Sequence, residues 1–574
     1  MSSSTQVNES VLKQYRDASQ RLSVAAPAQP VSEPEVRLIF GQVAEANPIA
    51  PSPVAAVRGG ANMYGACSVQ KFASSTGAGD LSYTHQDAQG WINYVNQFTP
   101  RNFWFADAGV STWEYLDPWD DWQDTYGMDA VRAFYHSGHG GMDANGVFFA
   151  PLGAAWSNRG AWARSDQMSF SNQRARYLFF STCFSCRVLN GQNPIRTWHR
   201  ANNGLRLLFG YETVSVDAGN YGSAFWKHWN RGKSFSQAWL DASWYDISTH
   251  QAPSAVACGS DANDASNRLY NERLFYGDAV AKNWYQWRWY YAASSARGRR
   301  QANRKLPDQL LMAHLEPRTV TSAGVRELFS RLPLDMAVPR EMTMMPTGVF
   351  AAGENYQRIS VERNGTYEAS FAEPTRENLQ PPAIQSSIGA AGDAVRQLGL
   401  DHEELQFDHV LHKWECGGSS AGTGLLETPR ITETVVHYTQ VINGLPVVTP
   451  GQGKVAVSLD NNLKMTSVLD STLPVAGLVT QAPVEPSAPG QPEAAPASAA
   501  VEPEDVLASA WAHRMKSFVI SGFMPRGFAA VPGSFDVGYS IRDNTAVLVA
   551  RHEVEVDFGH GLLKRYVVEE PIAG

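Results

Sequence analysis

Between about residues 61 and 292 the hydrophobic positions fall in short continuous runs that end in small polar residues: FWFADAG at 103–109, VRAFYHSGHGG at 131–141, RYLFFSTCFSC at 176–186 and LRLLFGYETVS at 205–215. Apolar runs of about 4–8 residues bounded by turn residues predict strands buried on both faces, and the spans between them leave room for crossover helices. An α/β domain with a largely parallel sheet follows. Beyond it the pattern changes. A basic, weakly apolar stretch, SSARGRRQANRK at 294–305, predicts an exposed connector and a domain boundary. Residues 306–379 carry little periodicity, except that YQRISVERNGTYEASF predicts a hairpin turning at Asn364-Gly365. Residues 380–471 read as an α+β module: a helix over AIQSSIGAAGDAVRQLGL, then strands joined by Asn-Gly, Gly-Gln-Gly and Asp-Asn-Asn turns. An Ala/Pro-rich linker spans 472–504. A last α+β unit, 505–574, has a helix over PEDVLASAWAHRMKSF and three alternating strands in FDVGYSIRDNTAVLVARHEVEVDFGHGLLKRYVVEE. Residues 1–60 are read as an N-terminal arm, with Val11, Leu12, Tyr15 and Leu22 spaced for a short amphipathic helix.

Composition agrees with several folded units in 574 residues, since the chain is 43% hydrophobic and only 18% charged. Fifteen of its 17 tryptophans lie between Trp91 and Trp289, which puts the largest core in the 61–293 unit. A net charge of -9 gives no footprint for binding a polyanion, so nucleic acid is not an expected partner. The five cysteines, at 67, 183, 186, 258 and 416, are too few and scattered for a disulfide framework and are read as reduced thiols. No apolar stretch reaches the length of a membrane span, and the polar N-terminus lacks the basic and apolar regions of a signal peptide. A soluble, cytoplasmic protein is the expectation, with non-classical secretion as the alternative. Walker, GxSxG, HExxH and Rossmann patterns are missing, so no cofactor is expected.

In an open parallel sheet, chemistry gathers at the carboxyl ends of the strands, where loops converge on a rigid frame. One such end delivers His136 and His139 among glycines, and another delivers Cys183 and Cys186. A thiol becomes thiolate near neutral pH when an imidazole takes its proton. Glycines at 138, 140 and 141 let the backbone approach a substrate carbonyl, and the Gly140 N–H is a candidate oxyanion donor. Together these residues point to acyl transfer. The same four side chains also spell H-x2-H and C-x2-C, so a structural zinc on His136, His139, Cys183 and Cys186 stays open as the alternative. The strip WYQWRWYY places Trp287, Trp289 and Tyr291 on one face of a strand, for sugar or peptide binding or, more simply, for domain packing.

These residues resemble the caspase-like cysteine peptidases, the clan that includes caspases, gingipains, separases and the CHAT-domain proteases. Its pattern is a hydrophobic strand ending in His-Gly and a later one ending in a small residue followed by the nucleophilic Cys. Here that pattern falls on His139-Gly140 and Thr182-Cys183, 44 residues apart, and the likeness continues through 205–243. The resemblance covers roughly 60–290. It implies a caspase-like three-layer sandwich and a cysteine endopeptidase acting on proteins or peptides, with His139 as base and Cys183 as nucleophile. His136 is then a supporting residue behind the base, Cys186 a buried neighbour, and Asp217 part of the pocket rim. Thr182 departs from the commoner Ala or Gly. Relatives of the gingipain type cut after Arg or Lys and need an acidic pocket, for which Asp217, Asp261 and Asp264 are the candidates; the last two also suit a helix cap. With such a preference the basic stretch 294–305 would be a self-processing site, and otherwise a solvated connector.

The segment 435–468 is similar to the propeptide module of fungalysin and thermolysin-type proteases, through Tyr438, Gln440, Asn443, Gly444, Leu445, Pro446 and Val447. The last unit is similar in style to PepSY modules. Such modules chaperone or inhibit a peptidase in secreted metalloproteases, so the resemblance implies self-inhibition here, with a partner-binding appendage as the alternative. A non-catalytic scaffold, inert or stapled by zinc, is the competing reading of the whole chain.

Overall fold

The structure, a computed structural model, describes residues 62–156, 160–295, 311–318, 320–334, 349–352, 357–401, 404–420, 425–480 and 525–572. The N-terminal arm, nearly all of the basic connector, most of the Ala/Pro-rich linker and the helix expected near 503–518 lie outside the described residues.

Five strands run parallel: β1 (Tyr64–Ser68), β2 (Phe103–Ala106), β3 (Ala133–Ser137), β4 (Tyr177–Ser181) and β5 (Leu207–Tyr211), in the order β2-β1-β3-β4-β5. In β3 and β4 every residue is buried, as continuous apolar runs require when both faces are covered. On one face, helices α1 (Thr84–Val95), α2 (Tyr221–Asn230) and α3 (Phe235–Tyr245) pack Trp91, Trp226 and Trp239 against Tyr135, Phe179 and Phe209. On the other face Phe134, Leu178, Phe180 and Leu208 meet Trp113, Phe148 and Trp198. Helix α4 (Ala262–Asn271) follows β6 (Pro253–Gly259). The chain is thus of the α/β class: β1–β5 run parallel, as expected for this unit, while the sheet as a whole is mixed. Both β6 and β7 (Trp284–Ser295) run antiparallel to their neighbours.

The sheet does not stop at β7. That strand pairs along its length with β8 (Leu405–Ser419), and the sheet continues through β9 (Arg430–Ile442), β10 (Lys454–Asp460) and β11 (Met465–Asp470). The aromatic strip is the seam: Trp287 and Trp289 are buried, and Trp289 stacks on Trp414 with ring centroids 5.7 Å apart, while Tyr291 is exposed. Helix α5 (Ile384–Gln397) and the hairpin at Asn364-Gly365 form where their patterns predict them, the hairpin adding further strands beyond β11. A second sheet holds β12 (Asp536–Arg542), β13 (Thr545–Gly559) and β14 (Leu562–Pro571), the three strands expected from alternation. Residues 311–315, in a stretch without readable pattern, pair with 475–480 and β13 in that sheet.

Candidate active site

The register of β3 and β4 builds the site. Ser137 lies opposite Ser181 as the last matched pair of two parallel strands, so His139 and Cys183 stand at equivalent positions, each two residues beyond it. Neighbouring strands are about 4.8 Å apart, which brings the two strand ends side by side. After Cys183 the chain turns sharply through Phe184, whose φ of 58° lies in the left-handed region. Ser185 Oγ clamps the turn, sharing its one hydroxyl proton between the carbonyls of Thr182 at 3.0 Å and Phe180 at 3.2 Å. Gly140 allows close approach of the histidine loop: a Cβ there would fall 2.5 Å from the Cys183 carbonyl oxygen.

His139 is fully buried, and its Nε2–H donates to the carbonyl of Gly79 at 3.0 Å. Because a carbonyl can only accept, the proton sits on Nε2 and Nδ1 keeps its lone pair. Among the described residues that Nδ1 has no hydrogen-bond partner. Burial first, and the Lys564 ammonium second, push His139 down to about 3, against some opposition from Gly79. His136 is pushed down to about 3 by the same two causes. Its Nδ1 pairs with the Tyr115 hydroxyl at 2.8 Å, on the face of the sheet shared with Phe180, so it supports the strand from behind.

Cys183 Sγ accepts the Ser215 N–H at 3.2 Å and lies 3.4 Å from Ser215 Oγ. It also donates to the carbonyl oxygen of Leu563 at 3.1 Å, 380 residues further along the chain. The segment from Gly559 to Arg565, the turn and first residues of β14, occupies the cleft. Arg565 donates its N–H to Ser215 O (3.2 Å) and accepts from Asp217 N–H (2.8 Å), a parallel bridge centred on Val216. Lys564 is buried with Nζ on Ser215 Oγ at 3.0 Å, and Phe558 lays its ring 4.8 Å from the His139 ring.

The other expected residues divide. Asp217 lines a cleft of ≈ 640 Å³ beside β14, and its carboxylate accepts the N–H groups of Ser82 and Tyr83. Asp261 and Asp264 are not part of the pocket. They follow β6, which runs antiparallel to β5, so they emerge at the opposite end of the sheet from Cys183. There Asp261 caps α4 through the Asp264 N–H, and Asp264 pairs with Arg268. The zinc alternative also fails to assemble. Cys186 is buried in the core on the Phe180 face, and among the described residues no group of three or more His, Cys, Asp or Glu side chains is placed to hold a metal. All five cysteines are free and buried. Burial pushes the thiols of Cys258 and Cys416 up to about 12, and those of Cys67 and Cys186 well up as well.

Sequence reasoning missed Gly79, Ser215, Asp87 and the 559–565 segment. Buried Asp87, in α1, accepts from Tyr135 Oη, Ser137 Oγ and the Gly222 N–H, and Ser181 also bonds to it. It therefore ties the strand ends that carry His139 and Cys183 to α2. Only the Gly-His-Gly run at 559–561 carried a local signal. All three of its residues have positive φ, which predicts a tight turn but not what the turn covers.

Fold and site together define an α/β protein with a thiol and a neutral imidazole at adjacent strand ends, covered by a strand of the same chain. A family model described as a Domain of unknown function (DUF6345) matches residues 67–293, the span from β1 to β7. No curated protein gives a match to this chain. Among the described residues no helix is long and apolar enough to cross a membrane.

Proposed function

We propose that the 62–295 unit is a caspase-like cysteine endopeptidase, held latent by the C-terminal hairpin of the same chain. The observation that carries this reading is the peptide carbonyl of Leu563, 3.1 Å from Cys183 Sγ, in a strand hydrogen-bonded along Ser215–Asp217. A cleft that holds an extended peptide with a carbonyl at a thiol is arranged for peptide-bond chemistry.

In the open state His139 Nδ1 takes the Cys183 proton while Nε2–H stays on Gly79, which fixes the ring and its tautomer. The thiolate attacks the substrate carbonyl carbon, and the developing oxyanion meets the backbone beside Gly140. The imidazolium protonates the leaving amine, and a water deprotonated by His139 hydrolyses the thioester. No cofactor enters these steps. In the closed state the hairpin excludes substrate and water, and Lys564 adds a positive charge that opposes the imidazolium. Protein or peptide substrates are the proposed partners, in the cytoplasm, with no role for nucleic acid or membrane.

The competing scaffold reading draws on the complete burial of His139 and Cys183. The two readings separate in one experiment. The full-length L562D/K564E variant, which opposes hairpin docking, is incubated with a mixed peptide library, with its C183A counterpart as control. The peptidase reading expects fragments in the Cys183 chain alone. An intact library, from a protein whose Cys183 is shown to be alkylated by iodoacetamide, overturns it in favour of the scaffold.

A further inference from the structure

We infer that the cleft selects extended segments bearing large apolar side chains, on a subsite formed by Phe72, Leu81, Phe149 and Trp162, and does not select for lysine or arginine. This rests on the peptidase reading and names its substrate class.

The hairpin is a ligand bound in cis, so its contacts report what the cleft accommodates. Phe558 and Leu562 are 2% and 0% exposed. With Val556 and Tyr566 they form one apolar cluster with Leu81, Phe149, Phe72 and Trp162 of the 62–295 unit. The His139 ring lies 4.8 Å from the Phe558 ring and 4.9 Å from the Phe72 ring, so this wall borders the reactive pair directly. Phe149 packs edge-on against Trp162 and reaches the turn at Gly561. When the hairpin leaves, these side chains become an apolar patch at the mouth of the site, and such a patch marks a place where something apolar binds. The occupant is a peptide substrate because the patch is continuous with the backbone pairing edge at Ser215–Asp217.

A lysine-selective pocket would look different, since a buried cation needs a carboxylate. Lys564 is buried in the cleft, yet among the described residues its ammonium makes no ion pair and bonds to Ser215 Oγ. The Asp217 carboxylate faces the amides of Ser82 and Tyr83, and Asp261 and Asp264 are at the far end of the sheet.

The test uses the full-length chain carrying C183A together with F558D and L562D, and fluorescein-labelled peptides read by anisotropy. The parent peptide spans 555–567. One derivative replaces the positions of Phe558 and Leu562 with serine, and a second replaces that of Lys564 with methionine. The expected result is binding of the parent, weakening of about tenfold or more for the serine peptide, and a change within about twofold for the methionine peptide. Equal binding of parent and serine peptides, no binding of the parent, or loss confined to the methionine peptide overturns the inference. Should that chain fail to fold, F149S in the otherwise natural chain takes its place, and Cys183 must then alkylate at least about fivefold faster than in the parent protein. The peptidase reading is scored separately with Cys183 restored. Binding without cleavage sinks that reading and leaves the subsite standing, whereas cleavage indifferent to apolar residues sinks the subsite and leaves the peptidase.

Discussion

His139 carries its proton on Nε2 because Gly79 offers only an acceptor, and this leaves the Nδ1 lone pair for the base role in the proposed mechanism. In the opened L562D/K564E chain, His139→Ala is expected to lower peptide hydrolysis by about 10³-fold or more, measured as initial rates against the parent. Behind the pair, Asp87 accepts hydrogen bonds from Tyr135, Ser137 and Gly222 and bonds to Ser181 as well. Asp87→Ala leaves them without an acceptor in a buried place, at about 1–3 kcal/mol for each. The urea midpoint is the measurement, and an unchanged midpoint would show that water replaces the carboxylate. At this scale His139, Gly140 and Cys183 were legible, because strand-end motifs are local. Gly79, Asp87 and Ser215 were not, since each belongs to a different loop or helix and no local pattern marks a residue whose partner arrives through the fold.

Among the elements, β7 and the β13–β14 hairpin decide the architecture. Trp289 is 1% exposed and stacks on Trp414 across the seam between β7 and β8. Trp289→Ala should cost about 3–5 kcal/mol, seen as a lower thermal midpoint. A change confined to the surface range would mean that backbone pairing alone holds the seam. The strip's packing role could be read from the sequence, but its partner strand, more than 100 residues away, could not. The hairpin teaches the same lesson. Alternation predicted its three strands, yet alternation says only that one row is covered and does not name the cover. The row Leu562, Lys564 and Tyr566 is buried, and Leu562 and Tyr566 pack against the 62–295 unit.

The whole molecule is closed by a contact that acid should weaken. In the closed state the His139 imidazole is held neutral, with a value of about 3 against an ordinary 6.5, by burial and by the Lys564 ammonium, and His136 is held down in the same way. An open state that exposes His139 takes up a proton that the closed state refuses. The closed state therefore keeps its full advantage above about pH 6.5 and loses it progressively as the pH falls toward 3. Hydrogen exchange at the amides of 559–567, corrected for intrinsic rates, is expected to speed up from pH 7.5 to 5. Protection that stays constant over that range would show that release is not linked to these imidazoles. By itself the sequence determined the buried strands, most of their turns and the two strand ends that carry His139 and Cys183, and it offered helix capping as the alternative for Asp261, all of which follow from periodicity and short-range stereochemistry. Tertiary structure alone decided strand direction and order, and so which end of the sheet each carboxylate reaches. It also decided that a segment 380 residues beyond Cys183 covers its thiol, because that contact rests on two surfaces fitting each other and leaves no trace in the pattern of either one.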